Sequence, residues 1–237
     1  MTRIDGRAAD QLRPIRLTPG FNKYAEGSCL IEAGDTVVLC NASVEEKVPP
    51  HVKAGGWITA EYSMLPRANR QRSPRDISKL KLASRSAEIQ RLIGRSLRSA
   101  VDLMALGERT ITVDCDVLQG DGGTRTASVT GGFIAAVLAM RRLLDQGLIE
   151  KMPVTTYVAG VSAGIVDGVP LLDLCYREDS RAIVDMNCVM TEHGGIIELQ
   201  ATGEGRPYTA AEQQALLRLC EKGIGELCAL EKGIVAL

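Results

Sequence analysis

The residues Ile111-Thr-Val-Asp-Cys-Asp-Val-Leu118, then Asp121-Gly-Gly-Thr-Arg-Thr126, then an apolar run from Ala127 without a charge until Arg141 decide the fold. Ile111, Val113, Cys115 and Val117 alternate with Thr112, Asp114 and Asp116, a period near two that predicts a half-buried strand. The run from Ala127 to Leu144 predicts a helix, so Asp121 to Thr126 is the seam where a strand hands over to a helix. Free N–H groups at a helix start, with a hydroxyl and a guanidinium beside them, suit an anion, and phosphate is the natural guest. A plain turn, with Gly122 and Gly123 at positive φ and Arg125 solvated, accounts for the same residues. Two nucleotide loops are excluded: Gly-x-x-x-x-Gly-Lys is absent, and Arg125 stands where a dinucleotide fingerprint needs its third glycine.

Upstream, residues 1–27 are polar and basic and predict an extended segment and little more. Ser28 to Ile31, the turn Glu32-Ala-Gly-Asp35, and Thr36 to Val44 predict a hairpin. Trp57 to Tyr62 adds a candidate strand bracketed by prolines. Between Pro66 and Arg98 the composition changes, with ten basic residues against Asp76 and Glu88 alone. Arg67 to Arg75 is polar and reads as a mobile loop, suited to gripping a polyanion by its phosphates. Ile89, Leu92, Ile93, Leu97, Ala100 and Val101 recur at helical spacing and predict a helix reaching Leu106-Gly107. A solvated helix face or subunit contacts explain Arg91, Arg95 and Arg98.

Downstream, Thr155 to Val166, the turn Asp167-Gly168 and Val169 to Tyr176 predict a second hairpin, followed by strands at Ala182 to Met190 and Ile196 to Ala201. Thr209 with Glu212 forms a capping box that opens a last helix. Asp179 and Asp185 lie close enough to converge on one site, where two carboxylates would suit Mg²⁺; turn chemistry and an exposed strand position explain them equally simply. A glycine-rich anion site, an arginine loop and a carboxylate pair together are the parts of phosphoryl transfer on a polyanion.

The totals narrow the class. The 237 residues are 45% apolar and carry a net charge of -1, so any electrostatic site must be local. Seven cysteines, odd in number and without a Cys-x-x-Cys pair, read as reduced core residues of a cytoplasmic protein. The longest uncharged run, Thr126 to Met140, is too short to span a bilayer, and no membrane partner is expected. His51 and His193 lie in polar turns and read as surface residues; zinc is not indicated. With two Phe, five Tyr and one Trp, a broad base-stacking platform is not expected.

The sequence resembles the ribonuclease PH family of phosphate-dependent 3′-to-5′ exoribonucleases. The likeness rests on Gly55-Gly-Trp-Ile-Thr-Ala-Glu-Tyr62, Met64-Leu-Pro66, Ala87-Glu-Ile-Gln-Arg-Leu-Ile-Gly-Arg-Ser-Leu-Arg98, Val113-Asp-Cys-Asp-Val-Leu-Gln119, Gly122-Gly-Thr-Arg-Thr126, Leu171-Leu-Asp-Leu174 and Glu178-Asp179, in the family's order. It implies an α/β (α+β) chain, mixed sheets packed with helices in the manner of the second domain of ribosomal protein S5, as a single domain over 1–237. The implied reaction is attack of inorganic phosphate on the terminal phosphodiester of RNA, releasing a nucleoside diphosphate, with the 3′ extension of precursor tRNA as substrate. Arg85, Gly123, Thr124 and Arg125 are then the phosphate site. Asp179 and Asp185 are the metal-binding and catalytic pair, and Arg67, Arg70, Arg72 and Arg75 form the RNA-gripping loop. A homohexameric ring, a trimer of dimers, is the implied assembly. The chain departs from the family at Ser78-Lys-Leu-Lys-Leu-Ala-Ser-Arg-Ser86, where glycines and a threonine are replaced, though Lys79 and Arg85 remain. An inactive RNA-binding ring subunit and a small-molecule kinase are the competing classes; intact arginines and aspartates oppose the first, and no ATP-sized loop supports the second.

Overall fold

The alternating stretch forms a strand over Thr110–Gln119 in the computed structural model, which describes residues 3–75 and 83–237. The inward set Ile111, Val113, Cys115 and Val117 is buried, and the alternate residues are half-buried. In chain order the strands are β1 (Ile15–Pro19), β2 (Gly27–Ala33), β3 (Thr36–Glu45), β4 (Trp57–Met64), β5 (Thr110–Gln119), β6 (Val158–Val166), β7 (Val169–Leu172), β8 (Val184–Thr191) and β9 (Ile196–Gly203). The helices are α1 (Ser84–Arg98), α2 (Leu103–Leu106), α3 (Thr124–Asp145), α4 (Tyr176–Asp179) and α5 (Ala210–Lys232).

Two mixed and antiparallel sheets result, ordered β1-β2-β3-β5-β4 and β7-β6-β8-β9. Among the described residues only the β4–β5 strand pair is parallel. Helix α3 lies between the sheets, against β2 and β3 on one side and β6 on the other; α1 packs on β4 and α3, and α5 covers the far side of the second sheet. This explains the uncharged run after the seam, because a helix buried on all sides has no solvated face to carry charge. By length and composition α3 is apolar enough to cross a membrane, contrary to the shorter run read from sequence, yet it is the buried core helix. Gly131 makes the packing possible: a Cβ there would sit 2.7 Å from Ile31 Cγ2 and 2.9 Å from Cys40 Sγ. One apolar core runs through both sheets.

The two hairpins, the strand at Trp57 and the capping box at Thr209 form as expected. Three expectations do not hold. The long helix ends at Arg98, since Ala100 and Val101 turn from the helical stripe to residues 154 and 155: Thr155 N–H donates to the Ala100 carbonyl and Val101 bridges Val154. Strand β7 ends at Leu172, because Asp173 adopts a φ of 52°. The N-terminal segment, read as extended and polar, contributes β1 and buries Arg3, Arg7 and Arg13. Residues 78–82 of the divergent segment, Lys79 and Lys81 among them, lie outside the described residues.

Helix α5 buries a carboxyl group beside the Cys228 thiol. Glu231 is fully buried and neither of its carboxyl oxygens has a hydrogen-bond partner among the described residues. Burial pushes its carboxyl well above the ordinary carboxylate range. The folded state therefore holds this proton at pH values where the unfolded chain has released it, and stability falls as pH rises from the ordinary value toward the folded one. Glu231→Met removes that dependence. In denaturant titrations at pH 5 and pH 8 the variant should gain on the parent as pH rises, by about 1.4 kcal/mol for each pKa unit of displacement; a constant difference between the two would contradict a buried, protonated Glu231.

Candidate active site

The seam is held before it can hold anything else. Gly122 has φ +80° and lies where a Cβ would come 2.5 Å from the Leu174 carbonyl oxygen, so only glycine fits. Thr36, at the start of β3, grips it from both sides: its Oγ1 accepts from Asp121 N–H at 2.9 Å and donates to the Gly122 carbonyl at 2.7 Å. Arg13 completes the grip, donating to the Asp121 carbonyl at 2.6 Å while its Nε and Nη2 donate to Asp173 at 3.0 and 2.7 Å. Gly123 then takes the left-handed N-cap position of α3, leaving the amides of Thr124, Arg125 and Thr126 outside the helical ladder.

Four segments meet at that helix start. Arg85 from α1, Gly123, Thr124 and Arg125 from the seam, Asp179 from α4, and Asp185 from β8 line one open cleft of about 90 Å³. All six of the residues assigned from sequence to phosphate and metal are therefore brought together. Ser162 and Asn187 also line it and were not foreseen. A signal for Asn187 existed: Val184, Met186 and Cys188 are apolar and alternate with Asp185 and Asn187, which must share the other face of a strand. Ser162 had none, since it reaches the cleft only through the β6–β8 register that sets it opposite Asn187.

The electrostatics are those of opposed charges in a half-dry cleft. Arg125 is largely covered and donates to Glu88 at 3.2 Å and to Gln200, linking α1 to β9. The Tyr62 hydroxyl lies 2.9 Å from Thr124 Oγ1, beneath the helix start. Burial raises the Asp179 carboxyl against the pull of Arg85 and Arg125. Asp185 is pushed up to about 6 by burial and by the like charge of Asp179, while Asn187 Nδ2 donates to its Oδ2 at 3.2 Å. Two carboxylates that repel one another beside an anion site form a donor set fitted to a hard divalent cation, which takes oxygen ligands and completes its shell with water and phosphate. No group of three or more His, Cys, Asp or Glu suited to a metal occurs among the described residues.

The four loop arginines do not line the cleft. Arg67, Arg70, Arg72 and Arg75 are exposed and none has a carboxylate partner among the described residues. Their loop is less free than its composition suggests. Ala68 is buried, its carbonyl accepts from Gly120 N–H at 2.9 Å, and Ser73 N–H donates to the Pro66 carbonyl at 2.9 Å. The root of the loop is thereby fixed to the end of β5, next to the seam.

Comparison with known proteins points one way. A family model described as 3′ exoribonuclease family, domain 1 matches residues 11–141, and one described as domain 2 of that family matches residues 156–223. Ribonuclease PH of Syntrophomonas wolfei is 56% identical over 239 residues, covering 100% of both chains. Among solved structures, a chain of the Archaeoglobus fulgidus exosome with RNA bound to the active site superposes with a TM-score of 0.82 at 25% identity, covering 95% of this chain and 91% of that one. Rice Rrp46 gives a TM-score of 0.79 at 18% identity, over 97% and 98% of the two chains, a likeness of fold.

The Arg13–Asp173 pair yields a test of how the cleft is built. Asp173→Asn keeps a side chain tolerant of positive φ but removes the charge that compensates a buried guanidinium. It should cost on the order of 3 kcal/mol in denaturant unfolding and weaken binding of inorganic phosphate by calorimetry. Unchanged phosphate affinity would show that the seam keeps its shape without this pair.

Proposed function

Since the chain belongs to the ribonuclease PH group of the 3′ exoribonuclease family, it is a phosphorolytic 3′-to-5′ exoribonuclease acting in tRNA processing, and we propose the following roles for its residues. Inorganic phosphate occupies the head of α3, held by the free amides, the Thr124 hydroxyl, and the Arg85 and Arg125 guanidinium groups. One of its oxygens attacks the phosphorus of the terminal phosphodiester. The bond to the RNA 3′ oxygen breaks, the nucleoside diphosphate departs, and the shortened RNA keeps that oxygen as its new 3′ hydroxyl. The observation that carries this assignment is the cleft itself, which sets Arg85, Thr124 and Arg125 beside Asp179 and Asp185.

Asp179 and Asp185 would hold Mg²⁺, whose charge relieves their mutual repulsion. When bound it would neutralise charge gathering on phosphate oxygens in transit. The residues' own contribution is placement: Arg85 and Arg125 orient the nucleophile, and the fixed helix amides meet it without reorganising. Arg67, Arg70, Arg72 and Arg75 would hold the RNA backbone upstream of the cut. We further propose a hexameric ring built as a trimer of dimers, for which the likeness to exosome chains is the support, and a cytoplasmic setting, which seven free, buried cysteines fit. A main core shared by both sheets supports treating 1–237 as one unit.

A 3′-extended tRNA incubated with protein, Mg²⁺ and phosphate should release nucleoside diphosphates. Asp185→Asn should lower kcat on the order of a hundredfold with RNA affinity little changed. Monophosphates released without added phosphate would overturn the reaction, and equal loss of turnover and affinity would overturn the role of Asp185. For the loop, Arg70→Ala with Arg72→Ala should weaken RNA binding and reduce the slope of log K against log salt by about 1.4, the value for two single-strand phosphate contacts. An unchanged slope in fluorescence anisotropy would return these arginines to structure.

A further inference from the structure

A second pocket, of about 460 Å³, adjoins the seam and shares no lining residue with the phosphate cleft. Asn69, Arg70, Gln71, Asp121 and Tyr176 line it. Its chemistry differs from that of the cleft. The cleft is walled by charge and hydroxyl, whereas this pocket combines one aromatic ring, two amides, one carboxylate and one guanidinium. Tyr176 is 52% exposed, so the pocket wall includes an aromatic side chain open to a ligand. The carboxylate of Asp121 makes the pocket a poor home for a phosphate, but it is a good acceptor for an exocyclic amine.

Position adds to composition. Tyr176 and Asp179 are three residues apart on α4, so they are neighbours on one side of a single turn, with Cβ atoms roughly 5–6 Å apart. Asp121 and Gly123 likewise carry the seam from one pocket into the other. Tyr176 N–H donates to the Asp121 carbonyl at 3.2 Å, which fixes α4 to the seam. Arg70 brings the basic loop to the far rim. The pocket thus has the basic loop on one rim and the helix that carries Asp179 on another.

We propose that the pocket is a nucleobase subsite for the substrate strand, in which a base next to the scissile linkage stacks on Tyr176 and offers its edge to Asn69, Gln71 and Asp121. This inference rests on the proposed phosphorolytic site, since that site gives the strand its direction. Stacking on one aromatic ring tolerates any base and supplies affinity that phosphate contacts alone do not. It also gives the protein a means of sensing that the 3′ end is single-stranded, because a paired base cannot leave its stack to enter.

The test is a set of single-stranded RNAs lacking one base at a time from the 3′ end. Binding is read by fluorescence anisotropy without phosphate, and turnover by nucleoside diphosphate release with it. The parent protein should lose about tenfold in affinity when one particular base near the 3′ end is missing. Tyr176→Ala should bind intact RNA about tenfold more weakly and no longer distinguish that missing base, while Tyr176→Phe behaves as the parent. If Tyr176→Ala does not fold, Tyr176→Leu provides the same reading. Parent-like affinity in these variants, or undiminished sensitivity to the missing base, overturns the subsite. So does a loss shared by Tyr176→Phe and accompanied by a change of oligomeric mass, which would mark Tyr176 as an assembly residue. Base sensing that persists with no phosphate-dependent release would instead overturn the proposed reaction and leave the pocket standing.

Discussion

The guanidinium of Arg13 is the constraint on which the site depends. It is buried, and it is satisfied from two directions, by the Asp173 carboxylate and by the carbonyls of the seam. A buried ion pair is a poor source of net stability, because desolvation consumes most of the attraction. Its value here is geometric. Asp173 lies just after β7 in the second sheet, Arg13 enters from the N-terminal segment, and the seam belongs to β5 and α3. One side chain thereby fixes the relation between two sheets at the point where the glycine turn must present its amides. Thr36 and the close approach of Gly122 to Leu174 remove what freedom is left.

Arg3 repeats the device one layer out. It makes a two-point contact with Glu178, at 2.8 and 2.6 Å, and donates to the carbonyls of Leu172 and Asp173. Arg7 lies between them, donating to the Asp173 carbonyl at 3.0 Å. Three arginines from the first turns of the chain thus hold a segment some 160 residues away that carries Asp179 toward the cleft. Burial works to raise the Glu178 carboxyl, but hydrogen bonds and charge from Arg3 hold it below its ordinary range. It remains ionised as a structural anion.

What could be read from the sequence follows from this arrangement. Local periodicity exposed β5, α3, both hairpins and the capping box of α5, since each depends on neighbours in sequence. Asp179 and Asp185 were legible as a converging pair, resemblance to a family supplied Arg85, and the structure sets all three in one cleft with Thr124 and Arg125. The N-terminal arginines were illegible, because an Arg-rich opening looks solvated until its carboxylates, distant in sequence, are placed beside it. The break after Arg98 was hidden for the opposite reason: Ala100 and Val101 keep helical spacing while bonding to a different segment. The arginine loop was read correctly in charge and incorrectly in freedom, since Ala68 is apolar and buried among polar neighbours.

Glu178 and Asp179 show how one turn of helix separates structure from chemistry. They are adjacent carboxylates of the same element, and a helix directs consecutive side chains roughly 100° apart. Glu178 points into the arginine cluster and is buried; Asp179 lines the cleft. The first holds α4 in place by its charge, and the second keeps a charge for the ligand that α4 was placed to meet. Exchanging their roles would require turning α4 about its axis, which the bonds from Arg3 to Glu178 and from Tyr176 N–H to Asp121 prevent. The buried arginines therefore act on the cleft at one remove, fixing the rotation of a four-residue helix whose outward face carries both Asp179 and Tyr176.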